Sequence, residues 1–328
     1  MFSHEYTAAT GHAALLDRSA QGTLAITGAD RASFLHSLLT NDIAGVKPGT
    51  GVYSAYLTPQ GRMISDMRIE ETGDAMLLEV EPAVAGALAE RLNTLIFSED
   101  VQVRDATGEY AEAGVIGPAA ADVLERALGI PAEQLRSLAE YANVKVPGTA
   151  LIIIRDDRFA IPGFDVYLPA AMKNAVFASL ATAGATPIGE DVAETLRVES
   201  GRPKFLVDMD TETIPLEAGI EHRAISMTKG CYVGQEVIVR VLHRGHGRVA
   251  KKLVGLRVEG SEALPASGDA IFANDREVGR ITSSAFSPRA GAPIALGYVQ
   301  RDCAEEGTRV AIRHGDTTLE AEVSQFSK

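Results

Sequence analysis

The sequence predicts an α+β protein in which two mixed helix-and-strand units precede a small antiparallel β-barrel. Three observations carry this. At 328 residues the chain exceeds what one core usually supports. Through residue 245, strand-like and helix-like runs mix without strict βαβ alternation or a GxGxxG turn, which disfavours a doubly wound sheet. Beyond Gly247 no helical periodicity remains, and short strand-like runs recur between Gly, Pro, Asn and Asp turns. That composition suits a barrel of about 80 residues. The expected division is 1–105 and 106–245 for the two units and 246–328 for the barrel, with a hinge near His243-Arg244-Gly245-His246-Gly247.

In chain order, 22–27 reads as the first strand, and Asp30 as the N-cap of a helix carrying Phe34, Leu35, Leu38 and Leu39 on one face. Strands at 51–57 and 62–69 flank Thr58-Pro59-Gln60-Gly61, a hairpin turn by composition. Alternation in the second strand puts Met63, Ser65, Met67 and Ile69 on one side, and Ile64, Asp66 and Arg68 on the other. A strand at 75–80 leads into a striped helix at 82–97 with proline at its start. The second unit holds helices near 118–128, 131–141 and 170–183 and strands at 151–155 and 164–168. A helix at 190–201 aligns Val192, Leu196 and Glu199 on one stripe. A carboxylate on an apolar face is costly unless something donates a hydrogen bond to it; the alternative is a frayed helix end with Glu199 in solvent.

Composition narrows the function classes. Nearly half the residues are apolar and the charge is mixed, as in a folded protein. No apolar run approaches the roughly 20 residues of a membrane span. The N-terminus lacks a basic start, an apolar h-region and an arginine-rich amphipathic pattern, so a cytoplasmic location is expected. A net charge of −13 disfavours general binding to nucleic acid or anionic membranes. Against that trend, residues 237–258 hold six cations and no acid. This is either a solvated face balanced by distant acids or a contact for one anionic ligand tail or RNA. Aromatic residues do not interleave with it, so base stacking has no platform. His243 and His246 lack the neighbours of a metal site, and two distant cysteines form neither a disulfide framework nor a CxxC pair. G-x-S-x-G, P-loop and HExxH motifs are absent.

The stretch richest in chemistry is Lys229-Gly230-Cys231-Tyr232-Val233-Gly234-Gln235-Glu236. Glycines flank a thiol, letting the backbone turn or approach another group, and a lysine two residues away would favour the thiolate. The β-branched run 237–242 reads as a following strand. A lone cysteine is most often a small buried hydrophobe, but Lys229, Gln235 and Glu236 are not core companions. Cys303 has acids around it, which raise a thiol's pKa and make it the inert one.

This octapeptide resembles the signature of the YgfZ-type folate-binding proteins, which support iron–sulfur enzymes and are relatives of the glycine-cleavage T-protein, an aminomethyltransferase. Further pieces lie in T-protein order: Leu38-Leu39-Thr40-Asn41-Asp42, Leu57-Thr58-Pro59-Gln60-Gly61-Arg62-Met63, Gly163-Phe164-Asp165-Val166-Tyr167-Leu168-Pro169 and Leu196-Arg197-Val198-Glu199-Ser200-Gly201. The resemblance implies a T-protein-like two-lobed fold with a C-terminal barrel and a tetrahydrofolate held between the lobes. It places the pterin on Glu199, whose carboxylate suits the ring's planar N–H donors, with Tyr53 and Met63 along the ring and Arg240 near the glutamate tail. Arg197, Tyr232, Gln235 and Glu236 complete the expected folate-binding set.

For chemistry it implies Cys231 tuned by Lys229, together with Asp66. The T-protein usually carries two adjacent aspartates where this chain has Ser65-Asp66. Aligned this way, the lost carboxylate is the catalytic one, and serine at ordinary acidity cannot replace it. The resemblance therefore favours iron–sulfur cluster assembly or repair, with client enzymes or assembly factors as partners. Folate-dependent aminomethyl transfer is the alternative, and an RNA-binding factor linked to tRNA modification a third.

Overall fold

The computed structural model describes residues 2–244 and 247–324. Its first sheet has five antiparallel strands in the order Thr50–Leu57, Met63–Glu71, Met76–Val80, Gly22–Thr27, Gln102–Asp105. Helices Arg31–Leu38 and Pro82–Asn93 pack on one face around Leu24, Ile26, Leu35, Tyr56 and Leu78. The second sheet has six strands in the order Thr186–Ile188, Ala14–Asp17, Tyr110–Ile116, Gly163–Pro169, Ile152–Arg155, Asn143–Lys145. Its helices Ala120–Leu128 and Lys173–Thr182 cover a core of Val115, Leu124, Phe164 and Leu180. Six antiparallel strands between Lys251 and Ser324 close into a barrel. Closure removes the free edges that an open sheet of short strands would expose. The α+β class and C-terminal barrel are those the turn spacing predicts.

Several expectations are corrected. A linear division at 105/106 does not describe the lobes, because Ala14–Asp17 pairs with Thr186–Ile188 and Tyr110–Ile116 in the second sheet. The strands Ala14–Asp17 and Tyr110–Ile116 are short or rich in Ala, Glu and Gly, and so carry little strand signal. The helix expected at 131–141 spans only Ala132–Arg136. Asp30 makes no capping bond to its own helix; its carboxylate instead accepts from the Asp100 N–H. The run 237–242 is helical: Gln235–Val239 is an α-helix that continues into a π-helical turn, Arg240–Arg244. Gly234 at φ 84° starts it and Ile238 is buried beneath it. Packing thus overrides β-branched propensity. The domain boundary expected at 245/246 lies outside the described residues, and of the hinge expected at 243–247 the first two residues end the π-helical turn.

Candidate functional site

The strand Met63–Glu71 positions the site. Residues 66, 68 and 70 alternate onto one face, and that face meets the second sheet. Where the two sheets diverge, toward Asp66, an open cavity of about 200 Å³ forms. The helix Glu190–Ser200 walls it with Glu190, Ala193, Glu194 and Arg197, while Tyr53, Glu81, Tyr141, Phe159, Phe205 and Arg223 close other sides. Pockets that enclose a whole drug-sized ligand run to about 300–1,000 Å³. This one is smaller than that range and open to solvent at its mouth.

Asp66 is a polar focus of the wall. Tyr53 Oη donates to its Oδ2 at 2.6 Å. Desolvation raises the Asp66 pKa against the opposing effect of the Tyr53 hydrogen bond. Burial also raises Tyr53, so the phenol stays protonated and remains a donor. Glu81, whose nearest cation is Lys204 at 3.8 Å, is also raised, by desolvation first and with Asp66 as a like-charged neighbour. Two carboxyl groups held above their ordinary range in one cavity are a recurrent feature of acid–base sites. Ser65 lies on the other face of the strand, fully buried, with its hydroxyl donating to the Asp66 carbonyl. The aspartate that this chain retains is therefore the one facing the cavity.

Along one wall of the cavity the lobes are joined by a buried ion network. Arg18 donates to Glu79 (2.7 Å), Asp165 (3.0 Å) and Glu112. Arg68 bonds Asp165 at 2.7 Å and also Glu79 and Asp156, and Arg158 pairs with Asp156 and Asp165. Oxygens of Glu79, Glu112 and Asp165 lie within 4.8 Å of one another. Guanidinium groups neutralise this acidic cluster, and the cavity inherits a rigid floor.

Several expected folate ligands lie elsewhere or are fully engaged. Glu199 is buried but does not line the cavity. Both its oxygens accept from Tyr6 Oη, at 3.0 and 2.9 Å, and Ser287 donates to it from the barrel. The Val192–Leu196–Glu199 stripe packs on the N-terminal helix and the barrel, so the opposite face of the helix, through Ala193, Glu194 and Arg197, meets the cavity. Arg197 reaches the wall with all five N–H donors committed: Nε and Nη2 to Glu194, Nη2 to Ser283, Nη1 to Asp208 and to the Arg202 carbonyl. Met63 is fully buried with Leu57, Phe205 and Tyr232, and Met67 lines the cavity in its place. Arg240 is exposed and not part of the wall. The 237–258 cations are spread over a π-helical turn, a loop and a barrel strand, and Lys251 sits beside Glu217 at 3.8 Å.

The octapeptide is anchored at both ends. Lys229 Nζ donates to the carbonyls of His36 (2.5 Å), Leu39 (2.6 Å) and Asn41 (3.1 Å), closing the C-terminal end of the helix Arg31–Leu38. Desolvation lowers its pKa to about 8. Its proton donors are therefore spent on carbonyls. Tyr232 is buried, with its pKa raised to about 12 by desolvation and the Lys229 ammonium 5.3 Å from the ring centroid. At Gly234, φ is 84° and a Cβ would stand 2.5 Å from the Thr58 carbonyl oxygen, so only glycine fits against the hairpin tip. Gln235 donates weakly to the Gly230 carbonyl at 3.4 Å, and Glu236 is exposed. Cys231 is exposed between these anchors and is not among the cavity-lining residues. Cys303 is buried, its pKa raised by desolvation and by Asp302.

Arg223 is, with Glu81, Tyr141 and Phe159, one of several wall residues that no sequence motif points to. Nothing in its local sequence marks it; the Leu39-Thr40-Asn41 segment places it. Asn41 Nδ2 donates to the carbonyls of both Tyr53 and Arg223 at 2.8 Å, and Thr40 Oγ1 donates to that of Ala224 at 2.6 Å.

Comparison with known proteins agrees with this architecture. Residues 1–229 match the GCVT N-terminal domain and residues 251–327 the glycine cleavage T-protein C-terminal barrel domain. The chain belongs to the glycine cleavage T-protein family. Among its relatives, the aminomethyltransferase of Rubrobacter xylanophilus is 31% identical over 311 residues, covering 94% of this chain and 82% of that protein. That of Listeria monocytogenes serotype 4a is 26% identical over 319 residues, covering 97% and 87%. The crystal structure of glycine cleavage system aminomethyltransferase T from Bartonella henselae superimposes with a TM-score of 0.89 at 24% identity, covering 99% of this chain and 88% of that one, which shows a T-protein fold. Among the described residues no helix is long and apolar enough to cross a membrane.

Proposed function

We propose that the cavity binds a reduced folate and that the protein carries out folate-dependent one-carbon transfer of the aminomethyl type, with Asp66 holding the transferred proton. The observation that carries this reading is the Asp66 carboxyl in the cavity wall, held by Tyr53 at 2.6 Å and raised in pKa by desolvation. The donor set suits a pterin. Asp66 and Glu81 face the ring space as acceptors for its N–H groups, and the buried Nε of Arg223 has no partner. When bound, tetrahydrofolate supplies the nitrogen that accepts the one-carbon unit.

The chain's own residues do the rest. Tyr53 fixes the orientation of Asp66, desolvation makes its carboxyl a better proton donor to a departing amine than an ordinary aspartate, and the ion network keeps the wall rigid. Asp66→Asn is expected to lower folate-dependent ammonia release from an aminomethyl-loaded lipoyl carrier protein by about 10²–10⁴-fold, with folate affinity changed far less. Activity within threefold of wild type would remove Asp66 from this role.

A second reading, support of iron–sulfur enzymes, is favoured by one observation: Cys231 is exposed on a loop pinned by Lys229, Tyr232 and Gly234. Under it, Cys231→Ser abolishes support of cluster-dependent client enzymes in cells and Cys303→Ser does not. Full support by Cys231→Ser leaves one-carbon transfer as the sole reading.

A further inference from the structure

The cations around the cavity are not equivalent. Arg18, Arg68, Arg158, Arg197, Arg202 and Lys204 each have a carboxylate within 4.0 Å. Arg223 has none among the described residues. Its guanidinium lies 4.7 Å from the centroid of the Tyr53 ring and its Nη2 donates to Tyr141 Oη at 2.6 Å, while its Nε is buried without a partner. An unmatched cation with a dry, unused donor costs free energy, so the arrangement is poised for an anion. It is also rigid. The backbone of Arg223 is held by Asn41. Tyr141 is fixed in the left-handed region at φ 67°, a conformation that non-glycine residues keep where surrounding packing imposes it, often at functional sites.

Arg223 and Asp66 occupy two sides of one tyrosine: the guanidinium over the ring face, the carboxyl on the hydroxyl. We propose that Arg223 is a specificity residue of this cavity that reads a carboxylate on the bound ligand, while Asp66 faces an amine or ring N–H of the same site. Two sources offer that carboxylate: the glutamate tail of a reduced folate, or a small amino acid held beside the pterin. In either case the guanidinium, with no carboxylate of the protein beside it, offers charge-assisted bonds through the N–H groups that Tyr141 does not take. The folate arm rests on the reading given above; the amino-acid arm does not.

The test titrates tetrahydrofolate and 6-methyltetrahydropterin, which shares the ring and lacks a carboxylate, into wild type, Arg223→Gln and Arg223→Lys. A parallel titration compares glycine with methylamine. Arg223→Gln is expected to weaken the carboxylate-bearing member of at least one pair by about tenfold or more and leave its carboxylate-free counterpart unchanged, with Arg223→Lys recovering part of the loss. Which pair responds identifies the source. The inference is overturned if Arg223→Gln treats all four ligands as wild type does, or weakens both members of a pair equally. A wild type that binds neither pterin overturns the folate reading instead, and the glycine–methylamine pair then decides Arg223 by itself.

Discussion

Replacing Arg68 by alanine is expected to destabilise the fold by about 3–5 kcal/mol, the usual effect of stripping one partner from a buried ion network. Arg68 is 7% exposed and spans the two lobes. It bonds Glu79 of the first sheet, and Asp156 and Asp165 of the second lobe. Arg18 and Arg158 serve the same acids, but two guanidinium groups cannot neutralise Glu79, Glu112, Asp156 and Asp165. The uncompensated charge would be held largely out of water, and that penalty exceeds the lost attraction itself. Urea denaturation reads the effect directly, and a loss below 1 kcal/mol would show the network to be dispensable. A double variant, Arg68→Met with Glu79→Gln, should recover part of the loss, because the two residues share one interaction and their effects are not additive.

The second large effect concerns pH. Glu70, on the same face of the same strand, is fully buried, and neither of its oxygens has a hydrogen-bond partner. Its nearest cation atom, Arg68 Nε, is 4.0 Å away and also lacks a partner. Desolvation first, with Asp156 and Asp165 adding repulsion against the pull of Arg68, raises the Glu70 pKa to about 7. A folded-state pKa above the unfolded value of 4.5 means that the native state binds the extra proton. The associated stability is present below pH 4.5 and is lost as pH rises through 7, for a total of about 3 kcal/mol. Glu70→Gln removes the titrating group. The variant should gain on wild type between pH 5 and pH 8 by most of that amount, read as the difference in urea midpoints at the two values. A gap between the two proteins that does not change with pH would mean that Glu70 is ionised throughout.

The same strand shows where sequence reasoning reaches and where it stops. Period-two alternation places Asp66 and Arg68 on one face, and the Thr58–Gly61 turn marks the hairpin. Those are local properties of the chain, as are the turn spacings that predict the barrel. Whether the Asp66 face meets a cavity or a core depends on the second sheet, in which residues 14–17 pair with 186–188 on one side and 113–116 on the other. That long-range pairing leaves no periodic signal. The helix Glu190–Ser200 illustrates the same limit. Its apolar stripe is visible, and so is the need of Glu199 for a donor, but the donors come from Tyr6 and Ser287, far away in sequence.

By itself, then, the sequence determined the α+β class, the hairpin, the glycine that the octapeptide needs at position 234 and the family to which the motifs belong. Each follows from backbone stereochemistry or from a contiguous run of residues. Tertiary structure alone decided that Arg223 and Asp66 share a tyrosine, that Lys229 caps a helix, and that residues 237–242 coil instead of pairing. The physical reason is that burial, and the pairing it forces on every charge, is set by neighbours that only the folded chain brings together.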